Sequence, residues 1–266
     1  MKSMIWMLAI LAALLAAVSC GPKKTAPRVL VLYYSQTGNT QAVADEIAAK
    51  LGADIEEIAA VDPYDGTYQE TIERGLAERE AGTLPEIEPL KADIAAYDVI
   101  FLGFPVWFGT YAPPVAAWLN SVDLSGKKVV PFCTFGSGGL ESSVRDLKEK
   151  QPGADILPGY GVRAARLAAV PKELDRFLTA NGFLEGECTE LGEFPEQHPV
   201  TDEEAAIFDA AVKDYPMINA KAATVASRPI PDGIEYLFTA VDRNRDMKVY
   251  VTVAEGEDPV FTQVVR

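Results

Sequence analysis

The chain has 266 residues, 48% of them hydrophobic, with 39 acidic against 24 basic side chains and a formal net charge of −15. That length holds one large domain or a standard domain with a small companion, and the apolar content excludes a disordered chain. The charge excludes a general nucleic-acid binder; a single histidine, His198, excludes Ser-His-Asp triads and His-rich metal sites; three cysteines without a C-x-x-C spacing exclude a disulfide framework and a zinc site.

Met1-Lys2 opens a run that is apolar from residue 4 to residue 18, short for a spanning helix and abruptly ended. A positive start, an apolar middle and small residues at the end read as a signal peptide over residues 1–19. Its end, Ala17-Val18-Ser19-Cys20-Gly21, resembles the lipobox of bacterial lipoproteins. The resemblance implies export and lipidation of Cys20, with acyl chains replacing the removed helix as the anchor to a bacterial membrane. Residues 20–27 are then a polar, Pro-bearing tether.

Residues 29–34 form a continuous apolar run, rich in β-branched and aromatic side chains, as expected for a strand buried on both faces. A polar loop over residues 35–40 precedes a helix with Ala42, Val43, Ile47 and Leu51 at helical spacing and Gly52 as its stop. Residues 55–58 suggest a short second strand. The stretch 62–98 is the least regular, with a candidate helix over 68–81 and an extended piece over 85–89. A strong strand follows at 99–103, then a helix over 112–122 whose Pro113-Pro114 suits a first turn. Further strands are expected at 128–133 and from 154, with helices over 140–150 and 170–181. Alternating strands and helices define an α/β fold, a doubly wound five-stranded parallel sheet over residues 28–183. Such sheets bind ligands at the carboxyl ends of their strands, so the loops 35–40, 105–110 and 134–142 are the candidate site.

In the first loop Ser35, Thr37 and Thr40 supply hydroxyls, Gly38 permits a positive φ, and backbone N–H groups at a helix start make an anion site. The alternative is an ordinary capped turn, with Thr40 or Asn39 as the N-cap. No Lys or Arg lies between Val29 and Ala49, which excludes a P-loop for nucleoside triphosphates and favours one phosphate monoester held by dipoles. The second loop carries Trp107, Phe108 and Tyr111, whose faces suit either stacking on a flat heteroaromatic ring or plugging the rim of the core. The third, Thr134-Phe135-Gly136-Ser137-Gly138-Gly139, is neither G-x-G-x-x-G nor G-x-S-x-G, so a Rossmann dinucleotide site and a serine hydrolase are unsupported.

Residues 31–40 resemble the [ST]-x-T-G-x-T phosphate loop of flavodoxins, residues 98–107 their strand and ring-binding loop, and residues 134–139 their third loop. The resemblance implies a flavodoxin-like domain with FMN as cofactor. Ser35, Gln36, Thr37, Gly38, Asn39 and Thr40 would hold the phosphate. Pro105, Val106, Trp107, Phe108 and Gly109 would line the isoalloxazine, and Thr134, Phe135, Gly136, Ser137 and Gly138 would close over its edge. The family's acidic second loop is missing here, since Phe108-Gly109-Thr110 is uncharged. An apolar pocket in an acidic protein disfavours the charge of reduced flavin, so the potential is expected below that of free FMN. Two activities stay open: an electron carrier between redox partner proteins, including ones with basic docking faces, or an FMN-dependent NAD(P)H:quinone-type reductase with a nicotinamide and a quinone as substrates. A third reading, from another class, is a flavin-free binding protein acting through the C-terminal domain.

Residues 184–200 read as a linker. Thr201 or Asp202 caps a helix whose apolar face runs from Ala205 to Tyr215, and strands are expected at 222–227, 234–241, 247–254 and 260–265. This small α+β domain, residues 201–266, resembles the cystatin-like fold, with Pro229 and Pro231-Asp232 where that family carries its Q-x-V-x-G hairpin. Protease inhibition is therefore not expected, and a docking or stabilising module is. Cys133 and Cys188 are read as buried or incidental.

Overall fold

The computed structural model describes residues 27–187, 191–216, 218–242 and 245–265. The signal-peptide run, Cys20 and Cys188 lie outside them. The chain order is β1 (Val29–Tyr33), α1 (Asn39–Leu51), β2 (Asp54–Glu57), α2 (Tyr68–Ala81), β3 (Val99–Trp107), β4 (Thr110–Tyr111), α3 (Pro113–Ser121), β5 (Lys128–Phe135), α4 (Leu140–Lys150), β6 (Asp155–Ile156), β7 (Tyr160–Arg163) and α5 (Val170–Ala180). The strands pair in the order β2-β1-β3-β5-β6, all parallel, with β7 also beside β5. β6 and β7 are two halves of one position, so the sheet is the expected five-stranded, doubly wound one.

Alternation explains the apolar runs. Leu30, Leu32, Ile100, Leu102 and Phe104 face one layer with Trp118 of α3 and Leu147 of α4. Val31, Tyr33, Val99, Phe101, Val130 and Phe132 face the other, with Ile47 of α1 and Leu174 and Leu178 of α5. A strand covered on both sides needs apolar residues at odd and even positions alike.

The last position breaks for a local reason. The N–H of Leu157 donates to the Val129 carbonyl, so alternate groups of β5 face this edge. Pro131 comes two residues later on the same side and has no N–H to give. The partner strand stops at Ile156 and resumes at Tyr160.

Two departures from the sequence reading concern connections. Residues 105–110 are not an open loop: β3 runs on to Trp107 and closes a hairpin with β4, pairing Val106 with Tyr111 and Trp107 with Thr110. The expected linker 184–200 ends in strand β8 (His198–Pro199), which adds to a second sheet.

That second sheet is antiparallel, in the order β12-β11-β10-β9-β8, with β9 (Lys221–Ile230), β10 (Gly233–Asp242), β11 (Arg245–Ala254) and β12 (Val260–Val265). Helix α6 (Asp202–Val212) lies on it, started by a capping box between Thr201 and Glu204. Phe208, Phe238, Met247, Val249, Val251 and Phe261 fill the core between them. Tyr215 lies past the helix end, with its ring centroid 4.9 Å from that of Phe261.

An ion cluster joins the two sheets' domains: Asp232 sits 2.8 Å from Lys172 Nζ and 2.9 Å from Arg176 Nη1 of α5. Hydrogen bonding from Lys172, then the Arg176 charge, holds its carboxyl below the ordinary value of 3.8. A depressed carboxylate stabilises fully above its ordinary value and loses that contribution as pH falls through the lowered one. Asp232→Asn is therefore expected to lower the melting temperature at pH 7 by the equivalent of ~1 kcal/mol or less, because the pair is partly exposed. The gap between the two proteins should close below pH 3.8, which thermal melts over a pH series would check.

Candidate functional site

The carboxyl ends of β1, β3 and β5 bring the three expected loops to one edge of the sheet. The first turn of α1 is not capped by Asn39 or Thr40. Gly38 is the N-cap, at φ 82°, and no side chain bonds the turn. The first helical bond runs from Ala42 N–H to the Gly38 carbonyl, so the amides of Asn39, Thr40 and Gln41 have no partner within the helix. Ser35 Oγ is buried and also unpartnered among the described residues. A buried hydroxyl without a partner costs about 1–3 kcal/mol, and here it sits three residues before an uncapped helix start. Donors left free in this way fit an anionic oxygen, and Thr37 is exposed beside them.

Other residues of this loop are engaged elsewhere. The Thr40 hydroxyl is buried, 2.8 Å from that of Thr134, and ties the first turn of α1 to the end of β5, which runs two residues beyond the expected strand. Gln36 accepts from the Tyr34 hydroxyl at 2.6 Å and donates to the Tyr64 carbonyl, which clamps the loop against the irregular 62–66 stretch. The Ser35 N–H opposes the upward push that burial exerts on the Glu57 carboxyl. That acid lies at the foot of the cradle.

In the second loop, Phe108 and Gly109 both have left-handed backbones, φ 52° and 88°, as a two-residue type I′ hairpin demands. A phenylalanine there costs about 1–2 kcal/mol. Its ring is held against Gly75 of α2, where an added Cβ would meet it at 2.9 Å. Trp107 joins an edge-to-face group, its ring centroid 5.2 Å from Tyr64 and 6.1 Å from Tyr34. The Arg74 guanidinium covers Tyr64 at 3.9 Å. Burial pushes both tyrosine hydroxyls upward, and Glu78 adds to the push on Tyr64. Pro105 lies within β3, opposite Thr134 in register, and Thr110 Oγ1 is a second buried hydroxyl without a partner among the described residues.

At the end of β5, Phe135 is buried in the sheet's core, and the third loop opens at Gly136, which is exposed. Val106 approaches Gly139 so closely that a Cβ there would meet it at 2.5 Å. Ser142 of α4 bonds the Gly109 carbonyl. Loops two and three thus form one continuous wall, with a cavity of about 420 Å³ between them and residues 263–265. Cys133, buried in the core, has its thiol pushed up by desolvation and is inert. No metal-binding cluster occurs among the described residues.

Sequence reasoning placed Thr110 and Ser142 in the candidate loops and Tyr64 in the irregular stretch beside them, but gave none of these, nor Tyr34, its contacts. Their roles depend on which segments meet across the rim, and no local motif encodes that.

A parallel sheet in the order 2-1-3-4-5, with an uncapped helix start after its first strand, defines the class of doubly wound mononucleotide folds. A family model, Flavodoxin, matches residues 28–170, and the chain belongs to the flavodoxin family. The C-terminal sheet lies outside that match. Solved structures are similar to part of the chain. A candidate flavoprotein from Bacteroides uniformis ATCC 8492 is 25% identical at a TM-score of 0.51, covering 57% of this chain and 99% of that one. One from Bacteroides eggerthii DSM 20697 is 29% identical, with a TM-score of 0.49 and coverage of 56% and 97%. A flavoprotein in complex with FMN from Lactobacillus acidophilus NCFM is 25% identical, with a TM-score of 0.47 and coverage of 55% and 98%. No curated protein matches the chain.

The orphaned hydroxyl generates a test in the protein without ligand. Ser35→Ala removes an unsatisfied buried group, so the flavin-free variant is expected to match or exceed the parent in stability, by up to ~1 kcal/mol. Urea denaturation would check it; a loss above ~1 kcal/mol would mean the hydroxyl is bonded after all.

Proposed function

We propose that this chain is an FMN-binding electron carrier of the flavodoxin type, held to a membrane by a lipid on Cys20. The observation that carries the reading is the unpartnered Ser35 hydroxyl before the uncapped, cation-free start of α1. Family membership supports FMN as the ligand. FMN supplies one- and two-electron chemistry when bound, and the protein supplies binding and electrostatics.

The chain's own residues divide that work. Ser35, Thr37 and the amides of Asn39 and Thr40 grip the phosphate. Gly38 lets the backbone approach it. Thr40 and Thr134 act on each other and fix the spacing of the two loops. Val106, Trp107 and Gly109 form one wall for the ring, while Gly136, Ser137 and Gly138 present amides to its edge. The carrier reading rests on a flavodoxin domain without a second nucleotide motif. An FMN-dependent NAD(P)H:quinone-type reductase is the alternative, and the cavity bounded by the second and third loops is where a second substrate would sit. The C-terminal region, a helix on an antiparallel meander of cystatin-like outline, is read as a docking and bracing module.

The purified protein is expected to be yellow and to bleach with dithionite. It should prefer FMN over riboflavin by at least ~30-fold, about 2 kcal/mol for a phosphate held by dipoles and hydroxyls. Ser35→Ala should cut FMN affinity about tenfold and leave riboflavin affinity unchanged. The two-electron potential should lie below that of free FMN. A colourless protein that ignores added FMN would overturn the reading, and rapid NADH or NADPH oxidation with a quinone would replace the carrier by the reductase. Separately, Cys20→Ser is expected to move the protein from the membrane fraction to the soluble one.

A further inference from the structure

Arg163 ends β7 and is buried, 4% exposed. Buried guanidinium groups are normally paired with carboxylates. Among the described residues none comes within the 4.0 Å of an ion pair. Instead Nε donates to the Gly136 carbonyl at 2.8 Å and Nη1 to the Phe261 carbonyl of β12 at 2.9 Å. The guanidinium lies 4.0 Å from the centroid of Tyr215 and 4.5 Å from that of Phe261. One cation thus fastens the third loop of the flavodoxin domain to the last strand of the C-terminal domain.

A second contact independently makes the same junction. The Val264 N–H of β12 donates to the Ser137 carbonyl at 2.7 Å. A Cβ on Gly138 would lie 2.3 Å from the Val264 carbonyl oxygen, so only glycine allows the strand this close. The carbonyls of two successive peptide units, 136–137 and 137–138, are therefore pinned toward Arg163 and β12. In a trans peptide the N–H points opposite to the C=O. The Ser137 amide consequently turns away from the Arg163 guanidinium and the Gly138 amide away from β12, and neither has an acceptor among the described residues. Bonding at the carbonyl also polarises each unit, which strengthens its N–H as a donor.

We infer that the C-terminal domain is a working part of the flavin site, with Arg163 as the positioning residue that aims the Ser137 and Gly138 amides at the carbonyl edge of the isoalloxazine. The inference rests on the FMN reading above. Its charge also sits behind the loop where reduction adds electron density, so Arg163 favours reduced over oxidised flavin. It opposes, without reversing, the downward pull of the acidic protein on the potential.

The test uses the full-length chain and compares Arg163→Gln, Arg163→Lys and Gly138→Ala with the parent. Arg163→Gln is expected to weaken FMN and riboflavin by the same factor, about tenfold, because the ring and not the phosphate is affected. Its two-electron potential should fall by about 30 mV, the equivalent of a tenfold drop in the reduced-to-oxidised affinity ratio. Arg163→Lys should keep most of the potential and lose part of the affinity. Gly138→Ala leaves the charge in place, displaces β12 and should weaken riboflavin binding; it carries the test if Arg163→Gln does not fold. In the flavin-free protein, amide exchange at Ser137 and Gly138 should change in both variants, a readout independent of any activity. Parent-like riboflavin affinity and amide exchange in Arg163→Gln and Gly138→Ala would overturn the inference while leaving FMN binding standing. A parent protein that binds no flavin would remove the FMN reading itself.

Discussion

An anion at the rim of this sheet has to be held by dipoles alone, because the charge beside the cradle is negative and no cation lies in the loop. Glu57 stands at its foot, and the Ser35 N–H meets that acid. The proposed binding surface is therefore made of what the fold leaves unpaired, the amides at the start of α1 and the Ser35 hydroxyl, with Gly38 in the left-handed backbone between them. The parallel sheet is what makes this workable. It aligns the strand ends so that the first turn of α1 and the third loop meet, with the Thr40–Thr134 bond as the spacer.

The sheet and its helices were legible because burial leaves a period in the chain. Residues 29–34 and 99–103 are apolar at every position since both faces are covered. The polar first loop was legible for the same reason: dense hydroxyls directly after a buried strand have little structural purpose. What escaped the reading depends on contacts between distant segments. A phenylalanine in a left-handed turn follows no local preference; Phe108 is held there by Gly75, 33 positions earlier. The capped-turn alternative fails because Gly38 is the N-cap and Thr40 turns inward to Thr134. The Gln36 side chain bridges Tyr34 and Tyr64, a contact that no local motif encodes.

The C-terminal region shows a similar limit. Its helix and meander follow from alternation and from the Thr201–Glu204 box, but its attachment does not. Arg163 belongs to a short strand with no distinguishing neighbours, and its importance emerges only once Tyr215 and Phe261 enclose it. Asp232, at the turn between β9 and β10, meets Lys172 and Arg176 on a helix about sixty residues earlier. A separate sheet is thus bound to the first domain by a buried cation at one point and an exposed ion cluster at another.

The gap opposite Pro131 has a bearing on solubility. The outer margin of the parallel sheet consists of two short pieces, two and four residues long, with an irregular interruption between them. At the opposite margin β2 spans four residues, three of them acidic. Neither margin offers a long, flat, uncharged ladder of peptide groups on which another chain could add a strand. A missing amide in the middle of β5 therefore helps keep copies of this protein from stacking edge to edge, at little cost to the core it lies beside.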